Sequence, residues 1–94
     1  MLGKANENKI EILNSMEIVE YDADGATLYY ALVKDIAENR QKLLDIGAPW
    51  DEIVDSTSDD NEHIDICGLA FKYGGAKWFD GERGWLKEAQ SHEQ

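Results

Sequence analysis

"DADGATLYYALVKDIAE" (residues 22–38) admits two readings, and the choice between them decides the fold. In the first, Leu28, Tyr29, Leu32, Val33 and Ile36 join Leu43 and Leu44 on one arc of a helix from 26 to 46. In the second, the segment closes a β-hairpin before a separate helix begins. Asp24-Gly25 supplies the positive-φ pair that a tight hairpin turn needs, and Thr27, Tyr29, Tyr30 and Val33 are strand formers. The second reading is preferred because Asp35-Ile-Ala-Glu38 has the spacing of a capping box, which starts a helix at Asp35. Asn39 and Arg40 would also interrupt the arc of the longer helix. If Asp35 is the cap, Asp35→Ala should lower stability by about 0.5–2 kcal/mol.

Downstream of Asp35, "IAENRQKLLDI" is expected to make about three helical turns with Ile36, Leu43 and Leu44 inward. Gly47 then ends the helix in the left-handed region, and Pro49 follows where the helix cannot continue. "PWDEIVD" suits a short second helix, with proline first, Asp51 and Glu52 in the first turn, and Trp50, Ile53 and Val54 packing underneath. Residues 55–62 form a polar loop. "HIDICGLAFKYGGAKWF" is expected to fold as a second hairpin around Gly74-Gly75, with Phe71 opposite Trp78 and Ala70 opposite Phe79. A bulge at Cys67-Gly68 would bring Ile64, Ile66, Leu69 and Phe71 to one face. The N-terminal "NKIEILNS" fits a short helix or an edge strand, and "LKEAQSHEQ" a fraying tail or helical turn. The expected class is therefore α+β, one small acidic domain over residues 1–94. It has antiparallel hairpins at about 16–33 and 62–80, a central helix at about 35–46 packed on the sheet, and a short helix near 49–55.

Charge is the strongest compositional feature, at −11 over 94 residues, and it is uneven. Residues 43–71 hold eight acids and no Lys or Arg, whereas residues 72–94 hold four of each. Such a field opposes direct binding to nucleic acid, which is attracted through Lys and Arg, and to anionic membrane surfaces. A single cysteine makes no internal disulfide. No apolar stretch of signal-peptide length opens the chain, and the longest uncharged run, residues 26–33, is far short of a membrane helix. A soluble, cytoplasmic protein is expected.

"VDSTSDDNEHIDICG" (54–68) gathers His63, Asp65 and Cys67 among further acids. On one strand His63 and Cys67 stand ~13 Å apart, beyond the ~3 Å reach of a thiol and its base. The chain's histidines and cysteine are also too few for a closed zinc site. EF-type loops started at Glu20 or Asp55 end on Ala31 or Ile66, where a bidentate acid is required. Neither "YGGAKWF" nor "DGERGWL" is a phosphate-binding fingerprint. Hence no catalytic residue, metal or cofactor is expected.

The candidate partner-binding residues are the acids Asp51, Glu52, Asp55, Asp59, Asp60 and Glu62, with Arg83 and Trp85 as the aromatic–arginine pair typical of interface anchors. The expected function is a non-enzymatic acidic protein engaging a basic protein partner, of the inhibitor or nucleic-acid-mimic type. The alternative is an accessory subunit or homo-oligomer joined through an aromatic strand edge, and a small enzyme ranks last.

Overall fold

The computed structural model of the protein describes residues 9–25 and 27–87, and it is α+β. A helix, α1, covers residues 9–14. It settles the "NKIEILNS" segment: Leu13 is fully buried and Ile10 packs beside the core, a helical spacing. Strands β1 (Glu20–Asp24) and β2 (Thr27–Lys34) then form the expected antiparallel hairpin. Residues 88–94, and with them most of the expected C-terminal tail, lie outside the described residues.

Asp24 pairs with Thr27, so the chain reverses between them. Gly25 lies at φ +62, with nothing within 4 Å of where a Cβ would stand. Space is therefore no obstacle to a side chain here; the backbone conformation is. Gly25→Val is expected to cost about 1 kcal/mol or more, read from a urea melt. Further along, Asp22 pairs with Tyr30 but Ala23 with Leu28, so Tyr29 is an extra residue on β2. That bulge lets Leu28 pack against the core together with Ala31 and Val33.

Helix α2 spans Ala37–Asp45, and its cap falls one residue later than the capping-box reading. Its N-cap is Ile36, at φ −125 with no side-chain cap. Asp35 is engaged elsewhere: its carboxylate takes a two-pronged contact from Arg40, 2.5 Å from Nε and 2.8 Å from Nη2. The Arg40 guanidinium holds the Asp35 carboxyl below its ordinary range. Because that folded value is depressed, the contribution is present above the unfolded pKa near ~4 and is lost as pH falls through the folded value. Asp35→Ala is expected to cost about 1–2 kcal/mol at neutral pH through these two charged hydrogen bonds. The wild type should fall towards the variant as pH drops below about 4, in melts across pH 2–7. A capping role alone would leave the Arg40→Gln background equally sensitive to the change.

At its far end α2 stops at Gly47, as expected, with the Gly47 amide donating to the Leu44 carbonyl at 2.9 Å. Pro49 is the N-cap of α3 (Trp50–Asp55) rather than its first residue. Only Ile53 of that helix is buried; Trp50 and Val54 are 49% and 46% exposed. Six residues offer one narrow buried stripe, and Trp50 instead lies beneath the Arg40 guanidinium, 5.2 Å from its ring centre.

The second expected hairpin is displaced. β3 is short, His63–Asp65, and pairs with β2, giving a three-stranded antiparallel sheet in the order β1-β2-β3. The chain then turns into helix α4, Cys67–Lys72, where a bulged strand was expected. The burial of Ile64 and Ile66 followed by Leu69 and Ala70 records a change of period from two to three and four. Gly74-Gly75 ends this helix instead of turning a hairpin. A Cβ on Gly74 would stand 2.6 Å from a Leu13 methyl and 2.9 Å from the Ala70 carbonyl oxygen, so glycine lets α1 close on α4. The actual second hairpin is β4 (Trp78–Asp80) with β5 (Gly84–Leu86), a separate two-stranded sheet.

One hydrophobic core joins these parts. It takes Leu13 from α1, Val33 from β2, Leu43 from α2, Ile53 from α3, Leu69 from α4 and Trp85 from β5. Among the described residues no helix is long and apolar enough to cross a membrane.

Candidate functional site: the acidic surface over residues 51–62

Helix α3 and the turn into β3 carry the sequence-predicted acids. Asp51 and Asp55, four residues apart, share one face of α3, and both are exposed. Glu52 behaves differently. It accepts a hydrogen bond from the Tyr73 hydroxyl at 2.7 Å and lies 3.3 Å from Lys72 Nζ, tying α3 to the end of α4. These partners, Tyr73 first, hold its carboxyl below the ordinary range. It is a strut between helices more than an open charge.

The loop after α3 is more ordered than a plain polar linker. The Ser58 amide donates to the His63 carbonyl at 2.8 Å, and the Asn61 amide to the Ser58 carbonyl at 2.9 Å. Asn61, at φ 58, takes the left-handed position that asparagine tolerates best after glycine. Inside this turn Asp60 accepts from the Ser58 hydroxyl and from the Glu62 amide, which hold its carboxyl below the ordinary range. Asp59, Asp60 and Glu62 all remain exposed. Among the described residues, none of Asp51, Asp55, Asp59, Asp60 or Glu62 has a Lys or Arg partner within ion-pair distance.

Arg83 and Trp85 are placed apart in character. Arg83 is exposed in the β4–β5 loop, with Nε 3.7 Å from the Asp80 carboxylate. Trp85 is 1% exposed, packed against Phe79 with ring centres 4.6 Å apart. "FDGERGW" turns at residues 81–83, but the tryptophan expected to anchor a partner points into the core and presents no anchor at the surface. Asn14 fixes it there, accepting from the Trp85 amide at 2.7 Å and donating to its carbonyl at 3.0 Å.

The His63-Asp65-Cys67 set is divided between two elements. Cys67 belongs to α4, so it shares no strand face with His63. Its thiol donates to the Leu28 carbonyl at 3.4 Å, and burial pushes its pKa up, away from the thiolate. One Asp65 carboxylate oxygen accepts from the Ala31 and Cys67 amides, both at 3.1 Å, which is a structural task. A different trio does converge: ligand atoms of Asp60, Glu62 and His63 lie within 4.8 Å of one another. Exposed acids beside a histidine are common on acidic surfaces, and no fourth His, Cys, Asp or Glu among the described residues joins this trio.

Sequence reasoning overlooked a second acidic surface, on β1, where Glu20, Asp22 and Asp24 alternate with Tyr21 and Ala23 and all five residues are exposed. The alternation itself was the available signal. The described residues thus form a small α+β domain with two acidic surfaces. No family model matches the chain, and neither a curated protein nor a solved structure resembles it significantly.

Proposed function

We propose that this chain is a non-enzymatic, cytoplasmic binding protein whose acidic surface engages a basic protein partner, in the manner of inhibitors that mimic nucleic acid. The observation that carries the reading is the set Asp51, Asp55, Asp59, Asp60 and Glu62, exposed and without Lys or Arg partners among the described residues. Like charges held on one short segment repel one another, and a Lys/Arg-lined cleft relieves that repulsion on binding. Their field also speeds encounter with such a cleft and slows it with anionic surfaces.

The test replaces Asp55, Asp59, Asp60 and Glu62 with the corresponding amides and measures affinity for a basic partner retrieved by the wild-type chain, at two ionic strengths. About tenfold weaker binding at low salt, with a flatter salt dependence, is expected. Melting should be unchanged or slightly higher. Equal affinities and equal salt slopes would transfer the role to an aromatic strand edge. That second reading, an accessory subunit or homo-oligomer, draws on Tyr21 and Tyr29, 45% and 57% exposed, and no longer on Trp85.

A further inference from the structure

The three-stranded sheet leaves β1 open on one side. Every residue from Glu20 to Asp24 is exposed, and among the described residues no strand pairs with its far edge. The direction of its backbone groups follows from β2. Ala31 spends its amide on Asp65 at 3.1 Å and its carbonyl on the Ile66 amide at 2.8 Å, both on the β3 side. Tyr21, the partner of Ala31, therefore sits at a non-hydrogen-bonded position, with its N–H and C=O directed away from β2. These groups are the template for one more strand.

The side chains decide what that strand can be. Tyr21 lies on the same face as buried Ala31, while Glu20, Asp22 and Asp24 lie on the other. A second copy of β1 is disfavoured, because antiparallel pairing would set acids against acids. The charges that repel a copy attract a strand with Lys or Arg at every second position. Its intervening residues would face the Tyr21 side, where a cavity of about 330 Å³ is lined by Ile18, Tyr21, Phe79 and Gly84 among others. Apolar side chains would meet Ile18, Tyr21 and Phe79 there, beside the polar Asn14, Glu82 and Arg83 of the same lining.

We propose that the β1 edge binds an extended basic peptide segment, Lys/Arg alternating with apolar residues, by adding it as a fourth strand. This rests on the reading that the partner is basic, but on a surface separate from residues 51–62.

The probe is a seven-residue peptide, Lys-Val-Lys-Val-Lys-Val-Lys, against a peptide of the same composition with its lysines in one block. Two further versions carry N-methyl groups on the valines alone or on the lysines alone. Strand addition uses one edge of the peptide only, so one methylated version should lose at least about tenfold in affinity and the other little. The block peptide should bind more weakly than the alternating one. On the protein side, Glu20→Gln with Asp22→Asn and Asp24→Asn should weaken the alternating peptide about tenfold, whereas the amide variant at 55, 59, 60 and 62 should change it less than about twofold. Gln at 20 retains the acceptor for the Tyr30 hydroxyl, which lies 2.7 Å from Glu20. Equal binding of both methylated peptides, or no binding to the wild type, overturns the inference. So does sensitivity to the 55–62 amides in place of the β1 amides, although the basic-partner reading would then stand. Loss of peptide binding in the β1 variant, with a retrieved partner indifferent to the 55–62 amides, would uphold the edge and remove the 51–62 surface from the function.

Discussion

Trp85→Ala is expected to lower stability by about 3–5 kcal/mol, the largest effect of any single substitution considered. In a domain whose total stability is about 5–15 kcal/mol, that removes a large share of it. The indole is 1% exposed and touches Phe79 and Phe71, with ring centres 4.6 and 5.6 Å away. It is also the fully buried side chain of the separate β4–β5 sheet, with Phe79 of β4 packed against the same core. A cavity left there cannot collapse easily, because Asn14 holds the Trp85 backbone at both its amide and its carbonyl. Trp85→Phe should cost much less than alanine. It keeps an aromatic ring and removes an indole N–H that is buried without a partner. Trp50→Ala is the internal control: that ring is 49% exposed, and its loss should stay within about 1 kcal/mol. Urea melts of the three variants decide the matter. Similar losses at Trp85 and Trp50 would mean that Trp85 is not a core residue.

The contrast between these tryptophans shows what a sequence can reveal here. Gly25 and Gly47 were legible because a positive φ demands glycine at a turn and at a helix end. The β1–β2 hairpin and α2 followed from those two points. Trp50 and Trp85 were misplaced because burial of a large ring depends on distant partners, Asn14 and Phe79 for one and Arg40 for the other. Asp35 carried the pattern of a cap, yet an arginine five residues on offered its carboxylate a stronger partner. The α4 segment was hidden by its shortness. Six residues cannot display a helical period clearly, and the parity break at Cys67 resembled a bulge. On the acidic surface, exposure was legible because unpaired charges must stay in water. Which acid serves as a strut, as Glu52 does, depended on Tyr73 just past the end of another helix.

Asp65→Ala should have the second largest effect, about 2–3 kcal/mol. The sequence offers Asp65 as a ligand between His63 and Cys67, but its bonds are those of a joint. One carboxylate oxygen accepts from Ala31 on β2 and from Cys67 at the first turn of α4, each at 3.1 Å, while its own amide donates to the Ser56 carbonyl at 2.9 Å. Alanine would strand the amide of Ala31, a residue with no exposed surface. It would also release the start of α4 from the sheet. Asp65→Asn keeps a carbonyl oxygen in the same place and should recover about half of the loss, the remainder being the charge. Asp59→Ala, on the exposed turn, should stay within about 0.5 kcal/mol. Hydrogen exchange supplies a local readout, because the Ala31 amide should lose protection in Asp65→Ala and keep most of it in Asp65→Asn. A neutral Asp65→Ala with an unchanged Ala31 amide would return Asp65 to the pool of solvent-facing acids. The turn from β3 into α4 would then have to be held by the backbone bond from the Ile66 amide to the Ala31 carbonyl, 2.8 Å long, without help from a side chain.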